Sequence, residues 1–327
     1  MRVALASRPT RRASAGMRAY AAALRARLPR VAPDITLVAV DVPPAALPLA
    51  LRAARPDLVH LPYLETAPLA PRPYVAMLHD LIHLRFPSQF SRATALYWRT
   101  VGGPVYRGAA RVLVSDPRVA DDAVALLGVA RTALRVVPLG YDDAIPSAEP
   151  LRASRPYLFY AGNHAPHKDL ATLFGAWAAL PEDVAVDLVL TGPDEPQARA
   201  RWKRRRGVVQ FLGEIDAPAL ARRYRGALAY VQPSLVEGFG IPVLEAAAAG
   251  TPVIATTSAV PSIVAPYAAT FAPGDARTLA SLVLALVRDA AGARARAAEG
   301  AHALRAYTWD RFAASTADVY REVLRCP

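Results

Sequence analysis

The feature that most constrains the fold is a repeated alternation of short apolar runs and segments with helical periodicity. Runs that are apolar at nearly every position indicate strands buried on both faces, as in parallel sheets covered by helices on each side. In the first half, the predicted strands are residues 2–6, 35–40, 58–61, 74–78, 112–114 and 134–137. In the second half, they are residues 157–160, 186–190, 208–212, 228–231, 253–255 and 270–272. The pattern predicts an α/β protein with two doubly wound, Rossmann-like domains.

A proline-containing segment without periodicity, residues 145–156, separates the two sets of strands and is interpreted as an interdomain linker. We therefore predict an N-terminal domain over residues 1–148 and a C-terminal domain over residues 149–308, facing each other across a cleft. Residues 309–327 are predicted to form a final helix that has Phe312, Val319, Val323 and Leu324 on one face and could pack on either domain. One large sheet with a surface loop at residues 145–156 is the alternative. Ligands are expected beyond the carboxyl ends of the strands.

Composition narrows the class of partner. The chain has 39 Lys and Arg residues against 27 Asp and Glu residues, for a formal net charge of +12. Such an excess favours an anionic partner, which could be nucleic acid, an acidic membrane or a phosphorylated ligand. The single cysteine, Cys326, excludes an internal disulfide framework and a multi-cysteine metal site, as is typical of a reducing cytoplasm. Prolines interrupt the longest uncharged stretch, residues 246–274, so it is not predicted to span a membrane.

The most informative motif is VQPSLVEGFGIPVLEAAAAGTPVI at residues 231–254. A strand is predicted to end near Gln232, and a helix to begin with Pro242 in its first turn, where the fixed φ of proline is favourable. The glycines between them let backbone amides approach a ligand, and a helix N-terminus offers unpaired N–H groups. The segment predicts a phosphate-binding turn in which Glu237 and Glu245 accept hydrogen bonds from hydroxyls of a sugar or ribose. The alternative is an ordinary strand–turn–helix with two solvated glutamates.

The run EGFGIPVLEA at residues 237–246 closely resembles the E-x7-E segment of retaining glycosyltransferases of family 4, which have the GT-B fold. YAGNHAPHKDL at residues 160–170 is similar to the YVGN-x-x-PHKNL opening of the family's C-terminal domain. Looser matches in the N-terminal half are Gly16 before a helix and LHD at residues 78–80 after a strand. The resemblance spans most of the chain and is strongest in residues 157–257.

The resemblance implies a role for twelve residues. The implied catalytic residues are His79, approaching the sugar from the opposite domain, Lys168, neutralising the diphosphate, and Glu237, contacting hydroxyls of the transferred sugar. The implied donor-binding residues are Gly16, Asp80, Gly162, Asn163, His167, Gly238, Phe239, Gly240 and Glu245, the last of which would hold the ribose. Many family members carry an arginine just before the lysine, whereas this chain has His167. Phosphate neutralisation is therefore expected to rest more heavily on Lys168.

Lys168 is also supported without the resemblance. Only two of the 39 basic residues are lysines, Lys168 and Lys203, and an ammonium is a compact point charge suited to a crowded phosphate. A surface lysine on an amphipathic helix is the alternative. His79 could equally be structural, and Gly16, which follows a basic loop at residues 8–15, could be a simple loop glycine.

The sequence thus predicts a retaining hexosyltransferase that uses a nucleoside-diphosphate sugar, with GDP-mannose favoured, and a lipid-linked or membrane-presented glycan acceptor. No cofactor and no metal are expected, since the chain lacks the Asp-x-Asp motif of metal-dependent GT-A transferases. A nucleotide-sugar epimerase or another GT-B enzyme is the alternative among enzymes. The basic cluster at residues 199–206 raises nucleic-acid binding as a non-enzyme alternative. Nucleic acid is not expected as a partner, because no recognised binding module accompanies the cluster.

The segment at residues 91–111 mixes Tyr97, Trp98 and Tyr106 with four arginines, a combination suited to a membrane interface. It predicts a cytoplasmic protein that binds peripherally to an anionic membrane on its inner face. A core helix with an exposed basic face is the alternative.

Overall fold

The structure of the chain is a computed structural model, and it describes residues 1–6, 14–43, 45–63, 70–192 and 207–325. It divides into two compact units, of which the first contains residues 1–140 and 307–327 and the second contains residues 141–306. Three features that the sequence singled out lie outside the described residues: most of the basic loop before Gly16, the basic cluster at residues 199–206, and Cys326.

A six-stranded parallel sheet forms the centre of the first unit. Its strands are β1 (Arg2–Ala6), β2 (Thr36–Val40), β3 (Leu58–Leu61), β4 (Tyr74–Leu78), β5 (Arg111–Val114) and β6 (Leu134–Val136). The order across the sheet is β2-β1-β3-β4-β5-β6. Every residue of β3 is at most 1% exposed, so the centre of the sheet is covered on both faces, as its continuous apolar run predicted.

Helices and short helical turns connect these strands. They include α1 (Ala15–Val31), α2 (Leu47–Ala53), α3 (Ile82–Arg85), α4 (Arg92–Tyr97), α5 (Gly103–Arg107) and α6 (Pro117–Leu127). A π-helical turn, Trp98–Gly102, joins α4 to α5. The start of α6 follows from local sequence, because the side chain of Asp116 accepts a hydrogen bond from the amide of Arg118 and Pro117 fits the first turn.

The second unit repeats this architecture. Its strands are β7 (Tyr157–Ala161), β8 (Asp187–Thr191), β9 (Val209–Phe211), β10 (Ala229–Gln232), β11 (Val253–Thr256) and β12 (Ala269–Phe271). They are parallel in the order β12-β11-β10-β7-β8-β9. Its helices include α7 (Leu170–Ala178), α8 (Ala217–Gly226), α9 (Ile241–Ala248), α10 (Ala276–Arg288) and α11 (Ala290–Leu304). The predicted α/β class with two parallel sheets is confirmed, and each predicted strand is present to within about one residue at its ends.

The final helix, α12 (Trp309–Arg325), belongs to the first unit and packs on α1. Ion pairs hold it at both ends: Asp310 lies 2.5 Å from the guanidinium of Arg30, and Glu322 lies 2.7 Å from that of Arg111. The chain therefore returns to the unit in which it began, a choice that the sequence had left open.

One apolar face of α12 is buried, but it differs in one residue from the predicted face. Phe312, Val319 and Val323 are buried, whereas Leu324 is 38% exposed. The inclusion of Leu324 was wrong. Adjacent residues of this helix can both be buried, as Val319 and Tyr320 are, but Leu324 is the second-last residue of α12 and is not covered there.

The chain passes between the units at residues 140 and 141, earlier than the predicted boundary after residue 148. The amide of Leu151 donates to the carbonyl of Arg222 at 2.9 Å, and Nη1 of Arg225 donates to the carbonyl of Pro146 at 2.5 Å. Both acceptors and donors of these bonds lie within residues 141–306. The segment interpreted as a linker is therefore fastened to the second unit by backbone hydrogen bonds that its composition does not reveal.

Candidate functional site

The predicted phosphate-binding turn lies where the strand order of the second sheet reverses. The chain runs outward from β7 through β8 to β9 and then returns to β10, which pairs with β7. Open α/β sheets bind ligands at such a point, beyond the carboxyl ends of the two strands. The loop after β7 and the loop after β10 meet there, since the amide of Leu235 donates to the carbonyl of His167 at 2.8 Å.

The loop after β10 ends in a residue with a left-handed backbone. Gly240 has φ 88° and ψ 58° immediately before α9, and a Cβ at that position would lie 3.2 Å from the carbonyl oxygen of Ala259. Pro242 follows in the first turn of the helix. The amides of residues 238–241 donate no hydrogen bond within the described part of the chain. They are therefore free to bind an anion at the helix N-terminus.

A buried ion pair joins the two loops. Nζ of Lys168 lies 2.6 Å from Oε1 of Glu237, and the two side chains are 14% and 10% exposed. The same oxygen accepts hydrogen bonds from Nε2 of Gln232 at 2.9 Å and from Oγ of Ser234 at 2.6 Å. Among the described residues, no group donates to Oε2 of Glu237. The carboxylate is thus fixed through one oxygen, and the other can accept a hydrogen bond from a ligand.

The ion pair keeps Glu237 charged. Burial by itself would raise the pKa of Glu237, but the ammonium of Lys168 and the hydrogen bond from Ser234 hold it below its ordinary value. Burial and the same ammonium lower the pKa of His167, so its imidazole is neutral near pH 7. Lys168 therefore supplies a fixed positive charge in this loop and His167 does not.

Two tyrosines orient the groups behind the ion pair. The hydroxyl of Tyr230 contacts Oε1 of Gln232, which leaves Nε2 of Gln232 facing Glu237. The hydroxyl of Tyr160 donates to the carbonyl of Asn163 at 2.6 Å. Both tyrosines are buried in the strands themselves, so their hydrogen bonds fix the loops that leave the carboxyl ends of β7 and β10.

The other predicted donor-binding residues of this unit lie in the same two loops. Gly162 has φ 154°, and a Cβ there would lie 2.9 Å from the hydroxyl of Tyr160, which requires glycine at the start of the loop. Asn163 follows it and is exposed. Gly238 and Phe239 are buried, so they can reach a ligand through their backbone amides rather than through a side chain.

Glu245 lies in a different environment from Glu237. Its Oε2 accepts a hydrogen bond from the hydroxyl of Tyr224 at 3.0 Å. Burial, reinforced by the charge of Asp142 and opposed by the Tyr224 hydrogen bond, raises the pKa of Glu245 to about 7. The two glutamates of the motif therefore differ in charge state near neutral pH, and only Glu237 is held in the ionised form.

Three predicted site residues belong to the first unit, and the first of them, Gly16, lies in the opening turn of α1. The hydroxyl of Ser14 caps this helix by accepting a hydrogen bond from the amide of Met17 at 3.3 Å. Most of the loop that precedes it lies outside the described residues. Contact of Gly16 with a diphosphate stays a prediction.

His79 and Asp80 directly follow β4. Nε2 of His79 donates to the carbonyl of Pro62 at 3.0 Å, so the ring presents Nδ1 as an acceptor, and it packs edge-on against Tyr20 at 5.2 Å. Burial lowers the pKa of His79 to about 4, although the Pro62 hydrogen bond opposes this. Oδ1 of Asp80 accepts from the amide of Ile82 at 3.2 Å. His79 is therefore a neutral imidazole, and Asp80 binds the first amide of α3.

A second histidine lies behind His79 in the core of the first unit. Nε2 of His60 is 2.9 Å from the hydroxyl of Tyr20, and its Nδ1 contacts the hydroxyl of Tyr320 on α12. Complete burial lowers the pKa of His60 to about 3. The network therefore links β3 to α1 and α12 through neutral groups only.

Sequence reasoning did not single out several residues that shape this site. Gln232 and Ser234 donate hydrogen bonds to Glu237. Their polarity, at and just after the end of an apolar strand, was the sequence feature that could have identified them. Tyr224, which contacts Glu245, gave no signal because it lies on α8, distant in sequence from the motif.

The described residues offer neither a metal site nor a membrane-spanning helix. They contain no group of three or more His, Cys, Asp or Glu side chains that could hold a metal ion. None of their helices combines the length and apolar composition needed to cross a bilayer.

Two family models match the chain, one in each half. The model described as Glycosyltransferase Family 4 matches residues 11–145, and the model described as Glycosyl transferases group 1 matches residues 155–289. The chain belongs to glycosyltransferase family 4. The matched ranges of this family 4 chain contain His79 in the first unit and both partners of the Lys168–Glu237 ion pair in the second.

Curated relatives match part of the chain. O-antigen chain mannosyltransferase B of Escherichia coli is 26% identical over 173 residues, which cover 50% of this chain and 45% of that protein. Phosphatidyl-myo-inositol mannosyltransferase of Mycolicibacterium smegmatis is 34% identical over 210 residues, covering 57% and 51%. The alignments thus span about half the length of each of these relatives.

Solved structures match the whole chain in fold. Sucrose-phosphate synthase from Thermosynechococcus elongatus superposes with a TM-score of 0.74 at 22% identity, covering 100% of both chains. Anabaena HepE in complex with UDP and glucose superposes with a TM-score of 0.75 at 15% identity, covering 98% of this chain and all of that one. The lipopolysaccharide glycosyltransferase WaaG gives a TM-score of 0.73. The predicted GT-B fold is confirmed.

Proposed function

We propose that the protein transfers a hexose from a nucleoside-diphosphate sugar to a glycan acceptor, with retention of configuration and without a bound metal. The observation that carries this proposal is the Lys168–Glu237 ion pair beside the unbonded amides of residues 238–241. Together they offer one ammonium, a helix N-terminus and one unoccupied carboxylate oxygen within two adjacent loops. These are the groups that a sugar attached to a diphosphate requires.

The cationic side of the site would bind the diphosphate. The ammonium of Lys168 has three N–H groups and uses one on Glu237, so two can reach phosphate oxygens. The amides at the N-terminus of α9 add further donors and a partial positive charge. Because negative charge grows on the diphosphate as it leaves, donors fixed in advance stabilise the transition state more than the bound substrate.

Glu237 would position the sugar. Its Oε1 is fixed by three donors, and its Oε2 would accept a hydrogen bond from a hydroxyl of the hexose. The acceptor hydroxyl would attack the anomeric carbon from the face that the diphosphate leaves, and its proton would pass to an oxygen of the leaving phosphate. No protein nucleophile is needed in this scheme. His79, neutral with Nδ1 as an acceptor, would contact the sugar rather than carry a charge.

The donor and the acceptor are proposed from the relatives. The names of the two mannosyltransferases support mannose as the sugar, with GDP-mannose the favoured donor. The complex of HepE with UDP and glucose supports UDP-glucose as the donor to test against it. The O-antigen chain and the phosphatidylinositol in the relatives' names support a lipid-linked or membrane-presented glycan as acceptor, in polysaccharide synthesis.

The test is a radiolabel transfer assay with GDP-mannose and UDP-glucose and a lipid-linked glycan acceptor, comparing the wild type with Glu237→Ala and Glu237→Gln. Loss of one electrostatic contact costs about a hundredfold in turnover, so Glu237→Ala is expected to fall at least that far. Near-wild-type turnover in Glu237→Ala would contradict the proposal. Conversion of the donor without any acceptor would instead favour an epimerase.

The aromatic residues predicted for a membrane interface do not all reach the surface, because Tyr106 is buried and Trp98 packs against the core of the first unit. A neighbouring surface of that unit, at Phe90 and Leu96, supports the membrane-presented acceptor. Leu96 on α4 is 62% exposed and Phe90 just before it is 40% exposed, and the exposed Arg92 and Arg99 flank them. Apolar side chains beside cations are suited to an anionic bilayer surface, where the protein would bind peripherally on the cytoplasmic face. Co-sedimentation with vesicles of anionic phospholipid should fall in Phe90→Ser/Leu96→Ser. Leu49→Ser, which removes a 76% exposed leucine elsewhere on the same unit, is the matched control. Equal pelleting of both variants would contradict this surface.

A further inference from the structure

A second cationic site lies in the second unit, at the opposite end of α9 from the phosphate-binding turn. A cavity of about 370 Å³ opens beside residues 248–250, which follow the last turn of that helix. An eight-residue helix is about 12 Å long, so the cavity is about that far from the amides of residues 238–241. None of the residues that line it belongs to the proposed diphosphate site.

The lining has the composition of a small-molecule site. Three arginines, Arg225, Arg294 and Arg305, face the cavity together with His302 and Tyr141. The remaining lining residues are alanines, prolines and a glycine. Apolar walls with a few convergent polar groups are typical of ligand pockets, and the volume lies near the lower end of their range. The space admits a molecule of about the size of a phosphorylated monosaccharide.

The arginines are not neutralised by the protein. Among the described residues, no carboxylate lies within ion-pair distance of Arg225, Arg294 or Arg305. Nε of Arg225 is buried and has no hydrogen-bond partner, although Nη1 of the same group donates to the carbonyl of Pro146. A buried donor without an acceptor is unfavourable, so the described part of the protein does not fully satisfy the guanidinium of Arg225, which lines the cavity.

Helix capping accounts for one arginine only. Arg294 donates through Nη2 to the carbonyl of Ala227 at 2.6 Å and through Nη1 to the carbonyl of Arg225 at 3.2 Å, so it satisfies the C-terminal end of α8. Arg305 is exposed and forms no side-chain hydrogen bond among the described residues. Capping therefore explains Arg294 but neither the buried Nε of Arg225 nor the position of Arg305.

We propose that this cavity binds a phosphate-bearing small molecule, with the phosphate held between Arg225 and Arg305. The planar guanidinium fork matches phosphate oxygens, and two such groups without a counter-ion favour a dianion over a neutral ligand. Tyr141 is the first residue of the second unit, and Arg305 lies next to its last residue. A bound molecule thus joins the two chain segments through which this unit connects to the first, which suits an effector rather than a substrate.

Isothermal titration calorimetry with ribose 5-phosphate, inorganic phosphate and ribose tests the proposal on the full chain. We expect binding of ribose 5-phosphate, weaker binding of inorganic phosphate, and none of ribose. Arg305→Gln should weaken binding about tenfold or more, as expected for one lost charged hydrogen bond. Arg305 is exposed, so this variant is expected to fold, and Arg225→Gln is the second variant.

Arg296→Gln is the matched control, because Arg296 lies on α11, the helix that Arg305 directly follows, and pairs with Asp289 outside the cavity. It should leave the affinity unchanged, as should Lys168→Ala, which separates this site from the proposed diphosphate site. Equal affinity in the wild type, Arg225→Gln and Arg305→Gln would overturn the proposal, and so would the absence of ribose 5-phosphate binding at millimolar concentrations. Loss of binding in Lys168→Ala alone would place the ligand in the donor site and would also overturn it.

Discussion

The two units have the same kind of sheet, with six parallel strands and one reversal of strand order, but the chemistry at the carboxyl ends of their strands is opposite. In the second unit, the Lys168–Glu237 pair places two full charges beside a helix N-terminus. In the first unit, His79 follows β4 as a neutral imidazole, with the neutral His60 behind it. The topology decides where a site can form, and the local partners of each buried group decide whether that site is charged.

The difference arises because the charge of Glu237 is compensated by neighbouring groups, whereas a charge on His79 or His60 would not be. Glu237 is buried but has an ammonium and two hydrogen-bond donors, so its charged form is the stable one. His60 is fully buried and His79 partly buried, beside hydroxyl and carbonyl groups that stabilise a neutral ring, and neither ring forms an ion pair within the described residues. The charged half is thus the Lys168–Glu237 pair, which suits a diphosphate. The neutral half is His79 with His60 behind it, and the imidazole of His79 suits a sugar hydroxyl.

The largest expected effect comes from removing the cation of the charged half. Lys168→Met should lower turnover at least about a hundredfold. It should also lower the free energy of unfolding by about 3 kcal/mol, since a buried carboxylate is left without its partner. Transfer assays and urea denaturation measure the two effects.

The double variant Lys168→Met/Glu237→Gln is the control for this prediction. With no buried charge left, it should recover most of the lost stability but none of the activity. A single Lys168→Met variant as stable as the wild type would show that the carboxylate does not depend on the ammonium and would break the comparison.

The neutral half should lose stability on mild acidification. His60 and His79 have pKa values of about 3 and 4 in the folded chain, below the ordinary value of 6.5, so the unfolded chain binds protons first as the pH falls. Between pH 6.5 and 5.5 each histidine should cost about 1 kcal/mol of unfolding free energy. Glu237 adds nothing in this window, because its stabilising charge is lost only below the ordinary pKa of 4.5. Glu245, whose pKa is raised to about 7, takes up its proton in the folded chain first, so it offsets part of the loss equally in the wild type and in the histidine variant.

Urea denaturation at pH 6.5 and 5.5 measures this loss for the wild type and His60→Gln. The variant should lose less stability on acidification than the wild type, because it lacks one buried imidazole. An unchanged pH dependence in His60→Gln would contradict the assignment of a neutral buried imidazole.

Glu245, in the same unit as the charged pair, provides a smaller test. Its pKa of about 7 means that about one tenth of the molecules carry the ionised form at pH 6 and most carry it at pH 8. If the carboxylate accepts the ribose hydroxyls, donor affinity should rise about tenfold between these pH values, in proportion to the ionised fraction. Calorimetric titration of GDP-mannose should show this rise in the wild type and no rise in Glu245→Gln. An affinity independent of pH in the wild type would remove Glu245 from the ribose site.

The smallest expected effect concerns the neutral network. Tyr320→Phe removes one hydrogen bond to His60 and should lower the unfolding free energy by about 1 kcal/mol, with no change in turnover. Tyr307→Phe, which alters a partly exposed tyrosine in the same unit, is the control. A loss of turnover in Tyr320→Phe would show that the network does more than hold α12.

The sequence predicted the strands well because each is specified locally. A run that is apolar at every position fits a strand covered on both faces, whatever the rest of the chain does. The turn before α9 is local in the same sense, since Gly240 and Pro242 meet the backbone requirements of consecutive residues. The residues themselves pointed to Lys168 and Glu237, the family resemblance gave each a role, and the structure places these two in contact.

What the sequence by itself determined was therefore the fold class, the strands and the two loops that carry the charged pair. Only the tertiary structure decided which oxygen of Glu237 is occupied, how Tyr224 and burial set the pKa of Glu245, and that α12 returns to the first unit. These features depend on residues far apart in the chain, such as His60 and Tyr320. Periodicity describes the face of one element, whereas charge state and packing depend on what covers that face.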